Sequence, residues 1–113
     1  MNNLPSEMKA VNVNSLTGKL EVKQVPIPVP SKGEVLVRIF AAPVNPSDLA
    51  VIRTALAQGR TDDFVPGIEA SGIVVGSGGG LLPTLWKNRR VTCSSSHRSG
   101  GTWAEFMVTK AGL

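Results

Sequence analysis

The sequence is poor in the residues that build several common kinds of functional site. It has no tyrosine, one cysteine, one histidine, two tryptophans and three phenylalanines in 113 residues. One cysteine excludes both an internal disulfide and a cysteine-based zinc framework. Single-strand nucleic-acid binders stack bases on aromatic side chains along a basic groove. With so few aromatics and a net charge of only +4, we expect no nucleic-acid partner.

Long apolar runs are also missing. No stretch approaches the ~20 apolar residues that a membrane-spanning helix needs. The amino-terminal residues MNNLPSEMKAV lack the charged region and apolar core of a secretory leader. We therefore expect a cytoplasmic protein without a membrane partner, built as one domain around one core.

Glycine and proline, by contrast, are abundant, with 12 and 8 copies. Frequent turns of this kind are typical of short-stranded β domains. Residues 8–14 and 20–26 alternate apolar and polar side chains, which predicts a hairpin that turns at Gly18. Residues 34–42 are apolar on both faces and predict a buried central strand.

A polar corner, AAPVNPSDLAVI, follows that strand. Asn45 suits a helix N-cap, Pro46 suits the first helical turn, and Asp48 can accept backbone N–H groups there. The corner therefore predicts a helix over about 46–58. Its apolar residues at helical spacing are Leu49, Ile52 and Leu56.

The carboxyl-terminal half continues the β pattern. Residues 68–76 predict a strand in which Gly72 marks a bulge or a close backbone approach. Residues 76–90 predict a glycine-rich loop with at most a short turn, and strands should follow at 90–93 and 102–109. The whole is mainly β, with five to seven strands and one helix.

Three features invite a chemical interpretation that the sequence does not favour. GSGGGL has Leu81 where a dinucleotide fingerprint needs its third glycine, and no amphipathic helix follows. His97 lies among serines without a carboxylate or thiol at ligand spacing, which indicates a solvated loop histidine. Cys93 ends an apolar strand and is interpreted as a small buried hydrophobe.

Glu69 and Glu105 stand in apolar strands, where a carboxylate is costly unless it is paired. The favoured interpretation is a structural acid that is paired within the fold. The alternative is a cleft carboxylate with a raised pKa. Candidate partners are backbone amides, Arg38, Arg53 and Lys110.

Four stretches in register resemble the amino-terminal GroES-like catalytic domain of the medium-chain dehydrogenase/reductase superfamily. They are PIPVPSKGEVLVRIFAAPVNPSD, VPGIEASGIVVG, NRRV and GGTWAEFMV, and they look most like the zinc-independent quinone oxidoreductase and enoyl reductase branch. The resemblance implies a partly open β-barrel with one central short helix. It also implies that residues 1–113 are a truncated GroES-like domain, lacking the Rossmann cofactor domain and the carboxyl-terminal segment.

The resemblance carries expectations about the site. Zinc alcohol dehydrogenases would have cysteine at Asn45 and histidine at Ile68, so no metal is expected. Chemistry in this branch is hydride transfer from a reduced nicotinamide, usually NADPH, to a quinone or an activated C=C bond. By resemblance, Asn45 and Asp48 line the substrate and nicotinamide cleft. Enoyl thioester reductases of the branch carry a tyrosine about where Leu56 stands, so a quinone oxidoreductase-like activity is favoured.

We therefore expect this chain to be the substrate-side domain of an NAD(P)H-dependent enzyme that reduces small molecules. The sequence is also compatible with a homo-oligomer. Alone, the domain should bind no NADPH and show no turnover. The rival interpretation is a stand-alone GroES-like β-barrel that serves as a binding or assembly module. A strand–GxGxxG–helix unit downstream would favour the enzyme, and a stop codon would favour the module.

Overall fold

The computed structural model describes residues 4–95 and 100–112. Within them the chain forms six strands and two helices arranged around two sheets. The elements are β1 (Glu7–Val13), β2 (Leu20–Pro26), β3 (Glu34–Ala41), α1 (Pro46–Ala57), β4 (Glu69–Ser77), α2 (Leu81–Trp86), β5 (Arg90–Ser94) and β6 (Phe106–Lys110). The mainly β prediction is confirmed.

Strands β1 and β2 form the predicted antiparallel hairpin. Gly18 takes a φ of +73° in the turn, a region that glycine enters without steric cost. The side chain of Asn14 accepts hydrogen bonds from the backbone N–H groups of Leu16 and Thr17, at 2.9 and 3.1 Å. These short-range interactions build the turn, and Ser15 also ties it to a distant segment by donating to Asp62 and Asp63.

The second sheet has the order β5-β4-β3-β6, with every neighbouring pair antiparallel. Strand β3 is central, as predicted, which explains why it is apolar on both faces. Leu36 packs with β1 and β6, whereas Val35 and Val37 pack with Val74 on the opposite face. Isolated bridges tie β1 to the segments that precede β6 and β4, from Ala10 to Ala104 and from Val13 to Phe64. The two sheets do not close on each other, so the barrel is partly open.

Gly72 marks a close backbone approach between β4 and β3. A Cβ atom placed on Gly72 would lie 2.0 Å from the carbonyl oxygen of Arg38. The pairing register of β3 also shifts between Ile39 and Ala41, opposite this point. The predicted role of Gly72 is confirmed.

Helix α1 occupies nearly the predicted range, but its buried stripe differs. Leu49, one of the three apolar residues at helical spacing, is 44% exposed. The inward residues are Asp48 and Ile52, with Ala55 and Leu56 half-buried. These positions recur at i, i+4, i+7 and i+8, which places Leu49 at the edge of the stripe.

A second helix, α2, replaces the loop predicted within residues 76–90. Pro83 lies in its first turn, where the missing N–H group is tolerated, and the ring is buried. Across residues 4–95 and 100–112, neither helix is long and apolar enough to cross a membrane.

Candidate functional site

The polar corner at the start of α1 is a helix cap. Asn45 has extended backbone angles, and its N–H group donates to Oδ2 of Asp48 at 2.7 Å. The N–H group of Asp48 in turn donates to the carbonyl oxygen of Asn45 at 3.0 Å. The carboxylate also lies next to the positive end of the helix dipole. The capping prediction for this corner is confirmed.

Asp48 is buried more deeply than a cap requires, because its side chain is 2% exposed. Its second oxygen, Oδ1, has no hydrogen-bond partner among the described residues. A buried carboxylate oxygen without a partner loses its hydration free energy, and no hydrogen bond compensates for that loss. Oδ1 therefore has a hydrogen-bonding capacity that no described residue satisfies.

Trp103 fixes the segment that leads into this corner. Its indole Nε1–H donates to the carbonyl oxygen of Pro43 at 3.2 Å. Its backbone N–H donates to the carbonyl oxygen of Pro66 at 3.0 Å, and its own carbonyl accepts from the N–H of Val11 at 2.8 Å. Three separate segments are thus connected through one half-buried residue.

The sequence predicted a strand from residue 102, but β6 begins at Phe106. The hydrogen bonds of the same region explain this difference. Residues 102–105 bond to the segment before β4 and to β1 instead of to β3, apart from the Glu105 carbonyl, which accepts from the N–H of Ile39. Sequence reasoning missed Trp103 as a tertiary contact. The available signal was its indole, since a partly buried indole N–H usually finds an acceptor.

Gly67 allows this convergence. A Cβ atom there would lie 2.3 Å from Oγ1 of Thr102 and 2.6 Å from Cδ1 of Trp103, and its φ is +107°. Both the space and the backbone angle therefore demand glycine. Oγ1 of Thr102 is itself fully buried without a partner among the described residues.

A cleft of about 640 Å³ opens beside the corner. Its walls are residues 41–43, where β3 ends, residues 69–71 of β4 and residues 92–94 of β5. Asn45 and Asp48 do not line it directly, but they follow immediately on the wall that Pro43 ends. The cleft mixes small apolar groups with hydroxyls and one carboxylate, which suits a small molecule that is mostly apolar with a few polar atoms.

The structure separates the two candidate acids. Glu69 is exposed in the cleft wall, and its carboxylate makes no hydrogen bond or ion pair with the described residues. Glu105 is also exposed. It accepts from the backbone N–H of Lys9 at 2.6 Å, which confirms a backbone amide partner. A role for Glu69 in the cleft stays a prediction.

Cys93 also lines the cleft, and its half-buried side chain packs against the cluster formed by Val35, Val37 and Val74. Burial raises the pKa of the Cys93 thiol above its ordinary value, which lowers its nucleophilicity near neutral pH. This agrees with its interpretation as a small hydrophobe. His97 lies outside the described residues.

The donor set around the corner does not fit a catalytic zinc ion. Within residues 4–95 and 100–112, no three histidine, cysteine, aspartate or glutamate side chains are grouped to hold a metal. Asn45 offers a carboxamide and Ile68 a hydrocarbon, and neither replaces a thiolate or an imidazole on zinc.

Comparisons with known proteins agree with this geometry. The family model of the alcohol dehydrogenase GroES-like domain matches residues 31–113. An alcohol dehydrogenase of Caenorhabditis elegans is 39% identical over 72 residues, 64% of this chain and 21% of the relative. A chloroplastic quinone-oxidoreductase homolog of Spinacia oleracea is 31% identical over 99 residues, 86% of this chain and 30% of the relative.

Among solved structures, a Mesorhizobium loti protein assigned as an NADPH:quinone reductase superposes with a TM-score of 0.84. It is 28% identical, over 96% of this chain and 36% of that protein. The chain therefore spans only 21% and 30% of the two curated relatives.

Proposed function

We propose a function for this chain, which belongs to the family of alcohol dehydrogenase GroES-like domains within the medium-chain dehydrogenase/reductase superfamily. It is the substrate-side domain of an NADPH-dependent oxidoreductase that reduces quinones or α,β-unsaturated carbonyls without zinc. The Spinacia oleracea and Mesorhizobium loti proteins, both named for quinone chemistry, support this choice. We propose a small-molecule substrate and a cytoplasmic site of action.

The proposal rests mainly on one observation. An open cleft lies next to a polar corner, formed by Asn45 and Asp48, that has no set of zinc ligands among the described residues. Residues 41–43 end one wall of the cleft and lead into the capped start of α1. Without a zinc ligand set, the corner can orient a substrate by hydrogen bonding and shape, but it cannot polarise a carbonyl through a Lewis acid. A substrate that is already electrophilic, such as a quinone, needs no such activation.

In this proposal NADPH, held by parts of the protein beyond these residues, supplies the hydride. The small apolar residues Ala41, Ala42 and Pro43 would lie against the planar ring of the substrate. Oδ1 of Asp48 would accept a hydrogen bond at the nicotinamide side, and Asn45 would contribute its carboxamide. Reduction of a quinone needs one hydride and one proton, and the proton would come from solvent, because the cleft is open.

An activity screen of the full-length protein tests this assignment. NADPH oxidation should be seen with p-benzoquinone or with an α,β-unsaturated ketone, and it should be insensitive to a zinc chelator. Primary alcohols with NADP⁺ serve as the contrasting substrates. Alcohol oxidation that is lost with the chelator and restored by zinc would contradict the proposal.

The cofactor assignment has a separate test. Titration calorimetry of this 113-residue chain with NADPH should show no binding, whereas the full-length protein should bind it. Stoichiometric binding to the chain alone would place cofactor contacts within these residues and would overturn that part of the proposal.

A further inference from the structure

Helix α2 exposes an unusual amount of apolar surface for its length. The exposed fractions are 77% for Leu81, 50% for Leu82, 58% for Leu85 and 36% for Trp86. Only Pro83 of this helix is buried. Scattered apolar residues are normal on protein surfaces, but a contiguous group marks an interaction site.

Three cationic side chains follow this helix directly. Lys87, Arg89 and Arg90 are all exposed and form no ion pair with any described residue. Residues 81–90, LLPTLWKNRR, contain no acidic residue. The chain therefore presents leucines, a tryptophan and three unneutralised cations on one short stretch, which we call the 81–90 surface.

The backbone holds this surface in a fixed position on β4. The N–H of Asn88 donates to the carbonyl oxygen of Val74 at 2.8 Å. The N–H of Val74 in turn donates to the carbonyl oxygen of Arg89 at 3.0 Å. The N–H of Arg89 also donates to the carbonyl oxygen of Trp86 at 3.0 Å. Asn88 takes a φ of +66°, which turns the chain between the apolar and basic parts. The two parts are therefore presented together, already ordered.

This combination matches the chemistry of an anionic bilayer surface. Tryptophan favours the membrane interface, exposed leucines bury their side chains at the headgroup–acyl boundary, and lysine and arginine are attracted to anionic headgroups. We propose that the 81–90 surface docks the protein on membranes that contain anionic phospholipid. The expectation of no membrane partner rested on the absence of a spanning segment, and surface docking needs none.

Two other occupants fit these observations less well. A symmetric dimer through this surface would bring Lys87, Arg89 and Arg90 close to their own copies, and like charges across an interface are unfavourable. A nucleic acid would use the cations but would leave the exposed leucines in water. An anionic bilayer satisfies both parts at once.

The proposal does not depend on the enzymatic assignment. A lipophilic quinone would partition into the same bilayer, so docking would place the cleft close to such a substrate. The binding test below nevertheless contains no substrate and no cofactor.

Vesicle co-sedimentation of the full-length protein is the direct measurement, because it also shows whether other parts of the protein cover the 81–90 surface. Binding should be seen with vesicles of phosphatidylserine and phosphatidylcholine, should be much weaker with phosphatidylcholine alone, and should fall with added salt. Replacing the three cations (K87Q/R89Q/R90Q) should weaken binding by about 100-fold, since each cation near an anionic surface accounts for roughly a fivefold change. A matched control, K9Q/K19Q/R53Q, removes the same charge from exposed positions on β1, the hairpin turn and α1 and should change binding less than threefold.

A second variant, L81Q/L85Q, tests the apolar part, and circular dichroism verifies that each variant is folded. Its binding should fall at least tenfold. In a variant of the protein in which Trp86 is the only tryptophan left, the emission of Trp86 should shift to shorter wavelength on adding anionic vesicles. Equal losses in the charge variant and its control would overturn the proposal. So would the absence of vesicle binding, or a concentration-dependent dimer that L81Q/L85Q abolishes without any vesicle binding.

Discussion

Removing the indole N–H of Trp103, together with the five-membered part of the ring that carries it, tests how the cleft wall is held. Trp103→Phe keeps an aromatic ring but deletes the indole N–H that donates to the Pro43 carbonyl oxygen at 3.2 Å. The backbone bonds of residue 103 to Pro66 and Val11 are unaffected. The substitution therefore addresses the side-chain hydrogen bond by which Trp103 is connected to the cleft wall at Pro43.

The expected loss of stability is modest. A neutral hydrogen bond contributes about 0.5–1.5 kcal/mol net. Pro43 is exposed, so water can replace the lost donor, and we expect about 0.5–1 kcal/mol, the lower part of that range. Trp86→Phe is the matched control, because its indole makes no hydrogen bond to the described residues and it is 36% exposed. A change within about 0.5 kcal/mol is expected there.

Two measurements together distinguish positioning from general stability. Urea unfolding gives the global free energy, and amide hydrogen exchange reports local opening. The Asn45 amide, which donates to Oδ2 of Asp48, should exchange about fivefold faster in Trp103→Phe, as a change of about 1 kcal/mol in local opening implies. If exchange at Asn45 is unchanged while the rest of the chain is destabilised, Trp103 does not position this wall and the reasoning fails.

Three further predictions address the rest of the molecule. Gly72→Ala should destabilise the fold by about 1–3 kcal/mol in urea unfolding, because its Cβ would meet the Arg38 carbonyl oxygen, whereas Gly112→Ala, with open space around it, should be nearly neutral. The pKa of Asp63 is lowered, chiefly by its hydrogen bond from Asn12, so its stabilisation is present above the unfolded pKa of about 3.9 and is lost as pH falls through the folded value. Asp63→Asn should therefore reduce the acid sensitivity of unfolding, and an unchanged pH profile would contradict this. The raised pKa of Cys93 predicts slower alkylation at pH 8 in the folded chain than in urea, and equal rates would exclude burial as the cause.

The parts of the fold that the sequence predicts well depend on short-range interactions. The turn at Gly18 and the cap at Asn45 are both built by residues within four positions of each other. The central position of β3 follows from its apolar residues on both faces, which only a strand covered on both sides can bury. These features would form in much the same way on another scaffold.

The parts that the sequence predicts poorly depend on distant segments. Leu49 has helical spacing, but which stripe of α1 is buried depends on what packs against it. Glu69 and Glu105 have similar sequence contexts, yet only Glu105 has a partner among the described residues, because Lys9 of β1 lies beside it. The cleft likewise forms between segments separated by up to 50 residues, so no local pattern indicates its volume.

Asp48 is the residue for which capping and function make different predictions. Oδ2 completes the cap, whereas Oδ1 is buried without a partner among the described residues. Asp48→Asn keeps an oxygen acceptor for the Asn45 N–H and removes an incompletely paired buried charge, so stability should be unchanged or slightly higher. Asp48→Ala loses the cap and should cost about 1 kcal/mol.

If Oδ1 serves the substrate or the nicotinamide, Asp48→Asn should instead reduce kcat/KM of the full-length enzyme at least tenfold. A buried charge that is unfavourable for the fold but needed for activity is typical of functional sites. The opposite pattern, in which Asp48→Asn is destabilising and fully active, would show that Asp48 only caps α1. Urea unfolding and steady-state kinetics on the same two variants decide between these outcomes, because one variant retains the cap and the other does not.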